Sequence, residues 1–362
     1  MKRPSVPASR FSRLRPLLCA GAALAASLAL AAPAAAQPFY RLESATTIKG
    51  KSPDWDYVAL DATRPYLFIG RRGDGATVFD LGKKQVVKII EQSDEAGAIR
   101  LVPEFDLGYT ANEDGSTTMF KLSTLKTLKR IAFGKDCDSV FYDPKSKQLV
   151  FTMGDSEALA FVDAKTGNVA GTLKMDSHKL DGSAADGQGH MFVAERDKNR
   201  VAKIDVAQRK LVAEWPTEGC SQPTGLDYDP ASKRVFVGCR GDKPVLAVLD
   251  ADSGKVVTTL PIGRGNDGVV FDASTRQIYT SNGVDANLVV YAQADADNYK
   301  LVEAVTTRPY ARTMALDAKS KKVYTVTAEG AADPAKKINS AVATFYPNTY
   351  YDDSFTVLTY SR

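Results

Sequence analysis

From Gly225 to Cys239 the chain reads GLDYDPASKRVFVGC, and the architecture follows from how that stretch must fold. Two short β-forming runs, GLDYD and VFVGC, flank Pro230 to Lys233. Asp229 can accept hydrogen bonds from the turn backbone and Pro230 fixes φ, so the segment reads as a tight hairpin. A second pair of runs follows, VLAVLDADSG from Val245 and KVVTTL from Lys255. In this Asp-x-x-Ser-Gly turn Gly254 takes the positive φ and Asp250 bonds the backbone, which makes a second hairpin. The result is one antiparallel unit of four short strands.

Working outward, the same unit occurs seven times, with first strands opening at Tyr57, Ala98, Ser139, Gly182, Gly225, Gly268 and Thr313. A period of about 41 to 45 residues is that of a four-stranded, WD40-like propeller blade. Second strands follow at once, as YLFIG from Tyr66, LVFTM from Leu149 and IYTSN from Ile278. Helical repeats of this length would place apolar residues at i, i+3 and i+4, and that pattern is missing. The expected fold is all-β: a seven-bladed β-propeller of four-stranded blades.

The last repeat supplies three strands, ending with FTVLTY from Phe355. Its fourth strand is expected to be Arg41 to Lys49, which precedes the first repeat. Such a ring is closed by the N-terminal strand pairing into the last blade and leaves no exposed sheet edge there.

The first 36 residues read differently. Lys2, Arg3, Arg10, Arg13 and Arg15 precede an Ala-rich apolar run from Leu17 to Ala32, which ends in Ala34-Ala35-Ala36. These are the three regions of a secretory signal peptide, so residues 1-36 are expected to be removed and 37-362 to form the propeller. The segment holds five basic residues and no acidic one, which leaves 42 basic against 43 acidic residues in the mature chain. A near-neutral chain gives no electrostatic support to a nucleic-acid partner. Nothing after Ala36 is long and apolar enough to span a bilayer. The expectation is a monomer in the periplasm or secreted.

Aligning the blades on the end of the first strand brings Asp56, Gly97, Asp138, Asp181, Thr224, Asp267 and Arg312 to one position, five residues earlier. The innermost strands line the channel, so these residues form a ring at its mouth. Four carboxylates at close range raise one another's pKa unless a cation, the Arg312 guanidinium or water compensates them. One reading is an oxygen-rich site for Ca²⁺, with Asp56, Asp138, Asp181 and Asp267 as candidate ligands, or for a small polar molecule. The other is structural, each Asp bonding the backbone of its own blade. Loops after the second strands open on the same face and add Arg71, Arg72, Glu113, Glu195, Arg196, Arg240, Asn282 and Glu329. The long loop from Glu329 to Ser354 carries Phe345, Tyr346, Tyr350 and Tyr351, as a lid or as packing over the closing blade.

Enzyme motifs are sparse. The chain has two histidines, His178 and His190, which excludes a His-rich metal centre and gives no triad. A Ca²⁺-dependent lyase or lactone hydrolase, with Glu195 as its acid or base, is the enzymatic reading these residues permit. Against it stands a binding module for a small polar ligand or a protein partner. Cys220 and Cys239 fall at one end of a single hairpin, and an oxidising compartment would join them, leaving Cys137. Three buried thiols are the alternative.

The repeats resemble the YVTN family of β-propellers, which includes exported bacterial proteins called YncE-like. The resemblance rests on YTAN at Tyr109, YTSN at Tyr279 and YTVT at Tyr324, with Gln222-Pro223-Thr224-Gly225 and the Asp-Pro-x-Ser-Lys turns. It covers nearly all of the chain after Ala36. It implies export and a propeller, and it adds single-stranded DNA binding as a further possibility, which would need a basic groove with stacking aromatics.

Overall fold

Gly- and Asp-containing turns let the chain reverse after strands that are mostly five to seven residues long, and the structure is built from these reversals. It is a computed structural model, and it describes Met1 and residues 39–51, 54–331, 333, 335 and 349–362. The expected signal peptide, Phe345 and Tyr346 lie outside the described residues. The first blade contains Val58–Leu60, Tyr66–Gly70, Ala76–Asp80 and Gln85–Ile89, paired in sequence order. Five further antiparallel sheets repeat that order, the fifth blade running through Pro223–Asp229, Arg234–Cys239, Val245–Asp250 and Val256–Pro261. No helix among the described residues is long and apolar enough to cross a membrane.

The seventh blade is composite. Met314–Leu316, Val323–Thr327 and Thr356–Ser361 pair in turn, and Arg41–Thr47 completes the sheet as its outer strand. Its register runs from Arg41 opposite Ser361 to Thr47 opposite Thr356, with an irregularity between Leu42 and Ser44. Tyr40 anchors the strand to the neighbouring blade. Its amide donates to Glu303 Oε2 of the sixth blade at 2.9 Å, and its hydroxyl donates to the Lys321 carbonyl of its own blade at 2.6 Å. The Arg362 guanidinium lies 4.3 Å from the Tyr40 ring centroid.

The burial pattern explains the sequence pattern. Middle strands are buried on both faces, as in Val245–Asp250, because each sheet packs between two others. Outer strands alternate, as in Val256–Pro261. The core is accordingly divided into interfaces between neighbouring blades. One joins Phe151 and Tyr109, another Phe192 and Val237, and a third Leu67 and Val326 across the closure.

Turn aspartates behave as their chemistry requires. Asp61 Oδ1 accepts from Thr63 N at 2.8 Å, Asp229 Oδ1 from Ala231 N at 2.9 Å, and Asp317 Oδ1 from Lys319 N at 2.9 Å. Gly254 has φ of +74°, the left-handed conformation that the third turn needs. Cys220 and Cys239 are joined as a disulfide with Cα atoms 5.4 Å apart, and Cys137 is a buried free thiol.

Two outcomes are expected. Removing Phe39 to Lys49 opens the ring and should lower the melting temperature by on the order of 10 °C, read by calorimetry; an unchanged transition would count against closure. Cys239→Ser should cost about 2 to 4 kcal/mol in denaturant unfolding, because the disulfide restricts the unfolded chain across a separation of 19 residues.

Candidate functional site

Inner strands approach the axis closely, so the residue after each ring position has little room. It is Tyr57 in the first blade, but Ala98, Ser139, Gly182, Gly225, Gly268 and Thr313 in the others. A Cβ on Gly182 would stand 2.4 Å from the Thr224 carbonyl oxygen, and one on Gly225 would stand 2.9 Å from Val269 N. These glycines keep the inner strands in contact. With small residues elsewhere, Tyr57 can cross the axis, and its hydroxyl donates to Asp181 Oδ1 of the fourth blade at 3.1 Å. The ring lines a cavity of about 280 Å³ on one side of Tyr57, and a second cavity of about 410 Å³ has Tyr57 in its wall as well.

The four expected carboxylates and Arg312 do converge on the smaller cavity, together with Arg72, Arg196, Arg240, Tyr57 and Tyr350. Guanidiniums supply most of the charge compensation. Arg72 Nη2 lies 2.6 Å from Asp56 Oδ2, and Arg196 Nη1 lies 2.7 Å from Asp181 Oδ2. Asp267 pairs with Arg240 and, at 3.0 Å, with Arg312 Nε. Arg312 also donates to the Trp55 carbonyl at 2.6 Å and sits over the Trp55 ring, with its Cζ 5.0 Å from the centroid.

Asp138 differs from the others. Among the described residues it has no basic group at ion-pair distance, because the third blade carries Gly154 where the fourth and fifth carry Arg196 and Arg240. Burial raises its pKa well above the usual carboxylate range. Asp181 and Asp56 push it the same way, against Arg72 and Arg196. Burial also raises Asp56, partly offset by Arg72 and Arg312.

The ring does not fit Ca²⁺ well. Its donor chemistry is right for a hard cation, but three of its four carboxylates are held by guanidiniums. No group of three or more acidic, His or Cys side chains among the described residues is arranged around a point.

Several expected loop residues turn elsewhere. Glu195 is fully buried inside the fourth blade on Arg200, and Asn282 is fully buried against Thr280 and Asn287. Both end a strand, and strand alternation directs their side chains into the blade rather than the channel. Glu195 is therefore placed away from any reacting group in this cavity. Arg71 is also buried, pairing with Asp74 at 3.0 Å and covering the Phe355 ring. Glu113 stays half exposed beside Arg72 at 3.0 Å, and Glu329 is exposed. At the base of the long loop, Tyr350 packs 5.3 Å from the Trp55 ring and lines the cavity, while Tyr351 is 53% exposed. His178 sits apart on Glu157, and His190 on Asp186 in a turn.

The loops after the second strands, read from the sequence as opening on this face, do supply Arg72, Arg196 and Arg240. The residue after the second strand's last pair is Glu113, Gly154, Arg196, Arg240 and Gly283 in blades two to six. Tyr57 was visible as the single large residue in its row.

No family model matches the sequence, and no curated protein matches it either. Among solved structures, the chain is similar to one of the Kuenenia stuttgartiensis hydrazine synthase, at 15% identity and a TM-score of 0.66. That match covers 78% of this chain and 95% of that one. It is also similar to a chain of a mitotic checkpoint complex, at 13% identity and a TM-score of 0.68, over 87% and 96% of the two chains. At such identities the likeness shows the fold alone.

Asp138 yields a pH prediction. With a folded pKa raised above the ordinary value of about 4, its contribution to stability is fully present below that pH and is lost as pH rises through the folded pKa. The melting temperature of Asp138→Asn minus that of the wild type should therefore be more positive at pH 7 than at pH 4. A difference independent of pH would show that the carboxyl is not perturbed.

Proposed function

We propose that this propeller is an exported recognition module of the YVTN, YncE-like kind, and that it binds a small polar molecule bearing both signs of charge in the ring cavity. The observation that carries this reading is Asp138. A partly accessible carboxyl without a basic partner among the described residues, beside four guanidiniums already paired, is an open acceptor for an ammonium or amide donor. The ligand's anionic group would share Arg72 or Arg196, whose planar forks hold a second acceptor readily. The Tyr350 and Tyr57 rings supply apolar surface at either side. The basic amino-terminal segment and the Cys220–Cys239 disulfide support export. A protein partner docking over the same face is the second reading, favoured by exposed Tyr351, which follows the cavity-lining Tyr350 in sequence.

The test is calorimetric titration of residues 37-362 with a panel of amino acids, betaines and their uncharged analogues. Asp138→Asn should weaken the best ligand by about 10- to 100-fold, the worth of a hydrogen bond to a charged group, with the fold intact by circular dichroism. Unchanged affinity in that variant would make the ring purely structural.

A further inference from the structure

On the far side of Tyr57 the larger cavity, of about 410 Å³, has a different character. Its walls are inner-strand aliphatic side chains, among them Leu60, Ile99, Val140, Leu226 and Met314. Two charged residues line it. Asp267 is already held by Arg240 and Arg312, so its charge is spent at the ring. The other is Arg100.

Arg100 occupies the position two residues before the end of its first strand. The equivalent positions in the other blades carry Ala59, Phe141, Ala184, Asp227, Val270 and Ala315. A guanidinium there is a departure from an otherwise mostly apolar row. It sits over the Phe141 ring, with Cζ 4.4 Å from the centroid, and its Nε donates to the Val140 carbonyl at 3.2 Å. Its two Nη groups have no acceptor among the described residues, and no carboxylate stands at ion-pair distance. Asp227, three blades away, is turned to the backbone amides of Tyr228 and Phe271, at 2.8 and 2.6 Å. Burial pushes the Arg100 pKa down to about 10, with Asp227 countering it only in part. A half-buried guanidinium with both Nη edges turned to a largely apolar cavity is placed to take up an anion there.

We infer that the larger cavity is a second binding site, specific for a small monocarboxylate whose carboxylate is gripped by the Nη groups of Arg100 and whose short apolar tail packs on the aliphatic walls. The planar fork of a guanidinium matches a carboxylate in two parallel hydrogen bonds. The stacking on Phe141 and the Val140 bond fix that fork in one orientation before the ligand arrives. Ser183, a hydroxyl in a row that otherwise reads Val58, Ile99, Val140, Leu226, Val269 and Met314, lines the same space as a further donor. The walls disfavour phosphate and sulfate, which would have to shed water on every side. This site is separate from the ring and does not depend on what binds there.

The experiment is a thermal-shift and calorimetric series on residues 37-362 with acetate, butyrate and hexanoate, against chloride and phosphate at matched ionic strength. The melting temperature should rise with tail length from acetate to hexanoate and should not respond to phosphate. Arg100→Met, which keeps the length and removes the charge, should bind hexanoate at least tenfold more weakly. Without carboxylate that variant should melt no lower than the wild type, because the uncompensated charge has gone. Equal stabilisation of the wild type by chloride or phosphate would mean an adventitious ion only and would overturn the proposal. So would hexanoate binding that survives Arg100→Met. If that variant fails to fold, Arg100→Gln and the wild-type anion order decide the matter.

Discussion

Seven sheets can share one axis only if the ring closes, and here closure rests on the ladder between Arg41–Thr47 and Thr356–Ser361. Each blade is buried on both faces only while it has a neighbour on each side, so an open ring would expose two large apolar faces. The chain joins its two ends in one sheet, and Tyr40 then ties that sheet to the preceding blade through Glu303 while its hydroxyl holds the Lys321 carbonyl of its own blade. Arg71 does similar work on the other flank, bonding the Lys49 carbonyl and covering Phe355. Both side chains are far from the axis in sequence and serve its geometry.

Once the ring is closed, the axis becomes a place where equivalent positions meet, and small departures from the repeat acquire consequences. Five blades have Ala, Ser or Gly after the ring position and one has Thr, so a single tyrosine can span the channel and divide it. Three of the four acidic ring positions are matched by arginines; in the third blade Gly154 leaves Asp138 without a basic partner among the described residues. The same logic sets Arg100 apart on the other side of Tyr57. In a repeat fold, chemistry resides in the blades that break the pattern, because the repeated residues are already committed to turns and interfaces.

The ring also shows how burial and pairing compete. Ion pairs with Arg72 and Arg196 keep Asp56 and Asp181 tied in place at the cavity wall. Asp138 feels the same desolvation without that compensation, and its pKa rises accordingly. A cavity with most of its charges paired and one acceptor open discriminates among ligands by where they carry a donor, rather than by net charge alone.

The fold was legible in the sequence because blade architecture is written in local terms: strand length, turn chemistry and a period that repeats seven times. Aligning the repeats also brought Asp56, Asp138, Asp181, Asp267 and Arg312 to one ring, since equivalent positions in a propeller must share a height on the axis. The direction of side chains at strand ends was not legible. Glu195, Asn282 and Arg71 lie in the right loops, yet the pleat and the local ion pairs turn them into the blades. Which carboxylate found an arginine depended on how neighbouring loops and blades face one another, and whether Tyr57 could cross the channel depended on Asp181, 124 positions away. Sequence by itself determined the repeat, because strands and turns follow from near neighbours, and its closure, because the last repeat lacks a fourth strand that the N-terminal segment supplies; the tertiary structure alone decided the charge pairing at the axis, because that depends on which side chains adjacent strands and blades bring within reach.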